Sequence, residues 1–231
     1  MDKRNLRAVK VAYDKICAEY ARRSFQPDEE EPAEHQILNL FLKQVEEKVC
    51  DVGCGPGHNT CYVRDLGMSV MGVDLSAGMV AEARRRNPDI EFLQASMYHL
   101  PVGNASWGAI LALHSIIHIP RGEVISVLQE FNRVLRPGGM LLLAFYLGEK
   151  TLTRLSWGNV SVEIRYTHFR PTEMEHNLTK AGFMSVANLD LKGFEGSAAC
   201  RYVFARKEPV DERHTKGPPT GGGPLPPPPA S

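Results

Sequence analysis

Between Val49 and Thr60 an apolar run meets an acid, Asp51, and glycine then recurs at every second position: Gly53, Gly55 and Gly57. This is the pattern of a buried strand that ends in a tight turn and opens a helix. Glycine there permits positive φ and lets the backbone approach a ligand closely. A second apolar run, Val70-Met-Gly-Val-Asp74, also ends in an acid. In a nucleotide-binding strand–helix–strand unit, an acid at that place can take the ribose hydroxyls.

The rest of the chain keeps the rhythm. Strands are expected at 48–53, 69–74, 90–94, 107–113 and 140–146, and helices at 58–66, 77–87 and 121–135. Asn87-Pro88 and Arg136-Pro-Gly-Gly139 are stop signals for two of these helices. Strands apolar on both faces, alternating with helices, predict an α/β fold with a doubly wound, mostly parallel sheet. Two amphipathic helical stretches, 5–23 and 33–46, come first. The segment 147–171 breaks the rhythm; within it, Val160–Tyr166 alternates like a half-buried strand. A helix at 172–181 follows, with Thr172 as its expected N-cap and Gly182 as its end, then strands at 184–191 and 199–206. From 208 the chain is rich in proline and glycine, a composition that builds no core and predicts disorder.

The glycine spacing bears on the ligand. A dinucleotide site wants G-x-G-x-x-G around a pyrophosphate. Here the spacing is G-x-G-x-G, and His58 stands at the third dinucleotide position. Asp51 would repel a pyrophosphate but attract an ammonium or sulfonium. S-adenosylmethionine, an adenosine with a cationic end and no phosphate, fits that requirement.

At this point the chain resembles the class I S-adenosylmethionine-dependent methyltransferases, over residues 8–207. The order of motifs carries the resemblance: Asp51-Val-Gly-Cys-Gly-Pro-Gly57, Gly72-Val-Asp-Leu-Ser76, Leu100-Pro101 and Arg133-Val-Leu-Arg-Pro-Gly-Gly139. Leu113-His-Ser-Ile-Ile-His-Ile-Pro120 is similar to a small-molecule-type, bacterial-like branch. The resemblance implies a seven-stranded sheet with its last two strands antiparallel. It also implies a helical lid at 1–46, a methyltransferase core at 47–207 and a tail at 208–231. Gly53, Gly55 and Gly57 would lie beneath the methionine part of the cofactor, with Asp51 facing its ammonium. Asp74 would hold the ribose, and Leu75 and Met79 would flank the adenine. In the next loop the family commonly has an acid for the adenine amino group. Here Ala95-Ser-Met97 stands, so Ser96 would accept that bond, with Met97 beside it. Tyr13 and Tyr20 would lie over the cofactor from the lid, where a ring gains about 0.5–2 kcal/mol against a cation.

Methyl transfer rests on positioning, and the acceptor side leaves a weaker trace. His114 follows the fourth core strand at the ligand edge of the sheet and is the candidate base, since histidine ordinarily titrates near neutral pH. His118, Tyr146, Tyr166 and Arg201 are candidate substrate contacts, with Trp157, Arg165, His168 and Arg170 beside them. The expected acceptor is a small molecule. Lys plus Arg and Asp plus Glu are both 27, which argues against a nucleic-acid surface. The N-P-P-Y-like motif of base-methylating enzymes is replaced by Leu113-His-Ser-Ile. The rival expectations are a protein or RNA methyltransferase, and a non-catalytic S-adenosylmethionine-binding protein. Ser96 in place of the acid favours the last; the retained glycines and Asp74 oppose it.

The 5 cysteines form no C-x-x-C pair, which predicts reduced thiols, no metal site and a cytoplasmic setting. No signal-peptide h-region follows Met1-Asp-Lys-Arg, and the apolar runs are too short for a bilayer. No membrane partner is expected, and no pattern bears on oligomeric state.

Overall fold

A computed structural model describes residues 2–26, 31–192 and 198–209. The disordered tail expected beyond 208 therefore lies, from residue 210, outside the described residues. In chain order the first elements are α1 (Lys3–Ser24), α2 (Glu31–Leu42), β1 (Val49–Val52), α3 (His58–Asp65), β2 (Val70–Asp74) and α4 (Ala77–Arg86). Then come β3 (Glu91–Gln94), β4 (Trp107–Leu113), α5 (Val124–Val134) and β5 (Leu135–Tyr146). A hairpin of β6 (Thr151–Trp157) and β7 (Val160–Thr167) leads to α6 (Pro171–Lys180), β8 (Phe183–Leu191) and β9 (Cys200–Lys207).

The seven-stranded sheet has the order β3-β2-β1-β4-β5-β9-β8. β1 pairs in parallel with both β2 and β4, and β9 alone runs against the direction of the other six strands. Strand order reverses direction between β1 and β4. The crevice beyond their C-terminal ends is where open α/β sheets bind ligands.

Helices cover both faces because their apolar stripes demand it. Val124, Val127, Leu128, Phe131 and Val134 recur at helical spacing, and all are buried beneath α5. On the other face Ile37, Leu38 and Phe41 of α2 pack on Val49, Leu142 and Phe204. Full burial of a side chain such as Phe41 stabilises by about 1.5–3 kcal/mol. The two N-terminal helices thus do different work. α2 is a layer of the core, whereas α1 lies on α4 and β7, across the crevice.

Several local expectations are corrected. α6 starts at Pro171 with Arg170 as N-cap, so Thr172 sits inside the first turn. Proline at the first helical position brings its φ already set and loses no needed N–H. β5 begins at Leu135, five residues before Met140, because Leu135 pairs with Trp107 ahead of the Gly138 turn. α2 ends at Leu42, where Gln44 and Val45 turn back to Phe41 and Leu42. β6 had no sequence counterpart; its residues are mostly exposed and show no core-facing stripe.

Candidate functional site

The glycine turn after β1 is fixed by its own backbone. Gly53 and Cys54 donate to the Val73 carbonyl at 2.7 and 3.1 Å. Gly53 has φ +78°, and a Cβ there would lie 2.2 Å from the Ser115 Cβ. Ser115 is held in place by donating to the Val52 carbonyl at 2.8 Å. Gly55 opens on a cavity, and among the described residues beyond its chain neighbours only Tyr20 comes within 4 Å of where its Cβ would be, at 3.8 Å. Gly57 does not line that cavity. It caps α3 at φ +86° with its back to the Phe92 ring, so its role is the turn and the packing behind it.

Two carboxylates face this cavity from the ends of β1 and β2. Asp51 is buried and accepts from Thr60 Oγ1 at 2.7 Å. Burial pushes its carboxyl up to about 7, against the pull of the Thr60 bond. Asp74 accepts from Ser76 N at 2.8 Å and Gly55 N at 2.9 Å. Burial still pushes its carboxyl up to about 6. Leu75, Met79, Ser96 and Met97 line the same cavity, and the Ser96 hydroxyl accepts from Tyr98 N at 3.3 Å. Among the described residues no lysine or arginine lines it. Two acids and no cation suit a ligand with a cationic end and free hydroxyls, and oppose a phosphate.

α1 closes the top. Tyr13 and Tyr20 reach the cavity wall. Asp14 accepts from Ser76 Oγ at 2.6 Å and Gly78 N at 3.0 Å, which pins the helix to the start of α4. Asn5 Nδ2 donates to the His118 carbonyl at 2.8 Å. His118 Nδ1 lies 2.9 Å from the Arg165 carbonyl and Nε2 lies 2.8 Å from the Tyr13 hydroxyl. A carbonyl only accepts, so Nδ1 carries the proton and Nε2 accepts from Tyr13. Burial pushes His118 down to about 4, which keeps it neutral. The expected substrate contact is instead a brace: His118 lines the first cavity and ties α1 to β7.

His114 sits just past β4 at φ +49°, a left-handed conformation that few side chains adopt. Its Nε2 is 3.2 Å from the Tyr202 hydroxyl and 3.6 Å from Glu34 Oε2. Tyr202 itself donates to Glu34 Oε2 at 2.7 Å, and Asn59 Nδ2 donates to Oε1 at 2.9 Å. Burial raises the Glu34 carboxyl, but its hydrogen bonds with His114, Tyr202 and Asn59 outweigh it and hold it below the usual carboxylate range. Tyr202 spends its proton on Glu34, so the network puts the His114 proton on Nε2. His114 Nδ1 is buried and has no hydrogen-bond partner among the described residues.

Residues 49–139 match the family model described as a methyltransferase domain. Over this stretch the chain is similar to the class I S-adenosylmethionine-dependent methyltransferases. It is 35% identical over 98 residues to a demethylmenaquinone methyltransferase of Beutenbergia cavernae, covering 42% of this chain and 40% of that one. It is 29% identical over 157 residues to a malonyl-[acyl-carrier protein] O-methyltransferase of Yersinia pestis, covering 64% and 58%. The chain thus spans about half the length of these curated relatives. The fold is similar to that of the Burkholderia thailandensis 1,6-didemethyltoxoflavin-N1-methyltransferase, solved with 1,6-didemethyltoxoflavin and S-adenosylhomocysteine. That likeness has a TM-score of 0.70 at 19% identity and covers 87% of this chain and 88% of that one. The acids, hydroxyl-facing groups and glycine turn of the first cavity are a fit for the cofactor of this family.

A second cavity of about 560 Å³ opens beside the first. Tyr13, Tyr20 and His114 line both. Tyr146, Tyr166, Trp157, His168 and Arg154 complete the second wall. Arg201 lines neither cavity. It pairs with Asp190 on β8 at 2.7 Å, so the expectation that it contacts substrate is corrected. Arg165 and Arg170 are likewise committed elsewhere, to Glu163 at 3.1 Å and Glu149 at 3.2 Å. Sequence reading missed Glu34, Tyr202, Arg154 and Asp14. Glu34 and Tyr202 are 168 residues apart and share no motif. Asp14 carried a readable hint, since it adjoins Tyr13 on a helix already expected to cover the site.

Proposed function

We propose that the chain transfers a methyl group from S-adenosylmethionine to a small-molecule acceptor, with His114 as general base. The observation that carries this reading is the shared wall. A cavity suited to the cofactor and an aromatic cavity meet at Tyr13, Tyr20 and His114. When bound, S-adenosylmethionine supplies an electrophilic methyl group.

The chain's residues do the rest. Asp51 binds the ammonium and Asp74 the ribose hydroxyls, while Leu75, Met79, Ser96 and Met97 hold the adenine. Tyr13 and Tyr20 exclude water from above. His114 Nδ1 takes the proton from the acceptor heteroatom, and the resulting imidazolium keeps its Nε2–H toward Tyr202 and the ionised Glu34. Glu34 stabilises that charge without taking the proton, the logic of an acid–histidine pair. None of the five cysteines is in a disulfide among the described residues, which suits the cytoplasm. No described helix is long and apolar enough to cross a membrane.

The test uses full-length protein and S-adenosylmethionine labelled in the methyl group, incubated with small-molecule, protein and RNA fractions of a cell extract. Label is expected in the small-molecule fraction, together with S-adenosylhomocysteine binding by calorimetry. Label confined to protein or RNA would reassign the acceptor. Binding of a nicotinamide dinucleotide in place of S-adenosylhomocysteine would end the reading altogether.

A further inference from the structure

The second cavity carries chemistry beyond the presence of an acceptor site. Its wall is aromatic, and such a box can hold either a flat ring or an organic cation. Arg154 decides between them. Its guanidinium lies 5.0 Å from the Trp157 ring centre and 5.8 Å from that of Tyr166. The Trp157 and Tyr166 faces that a cationic ligand would use are therefore already met by a cation. No carboxylate lines the cavity among the described residues, and none of them forms an ion pair with Arg154. The neighbouring acid on the facing strand, Glu163, is committed to Arg165 at 3.1 Å. His168 adds no second charge, because burial pushes its imidazole down.

Leu152 and Arg154, two residues apart on β6, both line the cavity. An apolar contact and a cation thus reach the same ligand from one strand. The rings of Tyr146 and Tyr166, with centres 6.4 Å apart and planes at 59°, add an aromatic corner against which a ring can lie. A volume of about 560 Å³ accommodates a bicyclic molecule.

We propose that this cavity selects a planar aromatic acceptor bearing an anionic group, with Arg154 pairing the anion and the ring lying among Tyr146, Trp157 and Tyr166. The inference rests on the methyltransferase reading above, and deepens it by naming the acceptor class. A guanidinium recognises a carboxylate or similar planar anion through two parallel N–H bonds, so the contact also orients the ring. An acidic hydroxyl or ring N–H at the far end of the molecule would then reach toward His114 at the border of the two cavities.

The experiment is calorimetry on full-length protein saturated with S-adenosylhomocysteine, using three matched probes. These are 6-hydroxy-2-naphthoate, its neutral carboxamide and the cationic aminomethyl analogue. The naphthoate is expected to bind about tenfold more tightly than the carboxamide, with the cation weakest. In Arg154→Gln the naphthoate Kd should rise about tenfold to meet that of the carboxamide, while carboxamide and S-adenosylhomocysteine Kd values stay as they were. Equal or tighter binding of the cation would overturn the proposal, as would an anion preference that survives Arg154→Gln. If none of the probes binds at millimolar concentration while S-adenosylhomocysteine does, the acceptor class is wrong and the methyltransferase reading stands. If S-adenosylhomocysteine itself fails to bind, that reading is what falls.

Discussion

The first cavity is walled by the ends of β1, β2 and β4, and much of its shape is backbone: Gly53, Gly55 and the amides that meet Asp74. The second is walled by side chains that α1, β5 and the β6–β7 hairpin bring together from distant parts of the chain. A backbone-built wall tolerates few residue types, because positive φ and close approach exclude most side chains. A side-chain wall can be rebuilt with many residues on the same scaffold. One fold can therefore hold one cofactor and vary its acceptor, and the two cavities should respond differently to mutation.

The largest effect is expected where the cavities meet. His114→Gln should lower turnover by about 10²–10⁴-fold, the range for loss of a general base. S-adenosylhomocysteine affinity should change far less. Single-turnover transfer to the acceptor found by labelling, beside calorimetry, separates the two. Glu34→Gln should lower turnover by a smaller factor and leave cofactor affinity alone. If His114→Gln weakened cofactor binding as much as it slowed transfer, His114 would belong to the first cavity only.

Next comes the contrast in tolerance. Gly53→Ala places a Cβ 2.2 Å from the Ser115 Cβ at φ +78°. Strain and overlap together should cost about 2–5 kcal/mol. Leu152→Ala, at a half-exposed position of the second cavity, should stay within about 0.5 kcal/mol. Urea unfolding of both variants measures the difference. Equal stabilities would remove the distinction between a backbone wall and a side-chain wall.

That distinction also explains what could be read from the sequence. The core strands were legible because they are apolar on both faces and bounded by turn residues. Asp51, Gly53, Gly55 and Asp74 could be placed at the strand ends and the turn because each acid closes or ends an apolar run and the glycine spacing marks the turn. Gly57 was found as a turn residue, yet its place behind the wall depends on Phe92, which the local pattern does not reveal. Glu34, Tyr202 and Arg154 left no trace, since each acts through partners that only the folded chain brings near. Arg201 misled for the same reason: a cation on a strand looks alike whether it meets a ligand or Asp190. β6 was missed because its burial pattern is exposed at nearly every position.

A middle-sized effect sharpens the cofactor side. Asp74→Ala should weaken S-adenosylhomocysteine binding by about 1.5–3 kcal/mol, the worth of a charge-assisted bond, without changing naphthoate affinity. The pH dependence has a definite sign. Asp51 is raised to about 7 and Asp74 to about 6, above ordinary carboxylates. The folded protein thus binds more protons than the unfolded chain from about pH 4 to 7, so these two groups reduce stability as pH rises through that window. A ligand that favours their ionised forms reverses this. The melting-temperature gain from S-adenosylhomocysteine should be larger at pH 8 than at pH 5.5. A gain independent of pH would mean that neither carboxylate changes ionisation on binding.

The smallest expected effect concerns α1, which borders both cavities. Asp14 holds it to α4 through Ser76 Oγ and Gly78 N. Bonds to a charged acceptor can be worth about 1.5–3 kcal/mol, but Asp14 is partly exposed and its ion pair with Lys10 is on the surface, so about 1 kcal/mol is the realistic figure. Ser76 also keeps its own bond to Met79 N and still caps α4 when Asp14 is removed. Asp14→Ala should therefore leave global stability nearly unchanged. If α1 opens as a unit to admit the cofactor, the lost contact acts on the closed form only, and S-adenosylhomocysteine should dissociate about fivefold faster. Stopped-flow displacement measures that rate, and a thermal melt measures stability. Faster release at constant melting temperature identifies α1 as a moving cover. A lower melting temperature with an unchanged release rate would make it a fixed wall, no different in kind from α2.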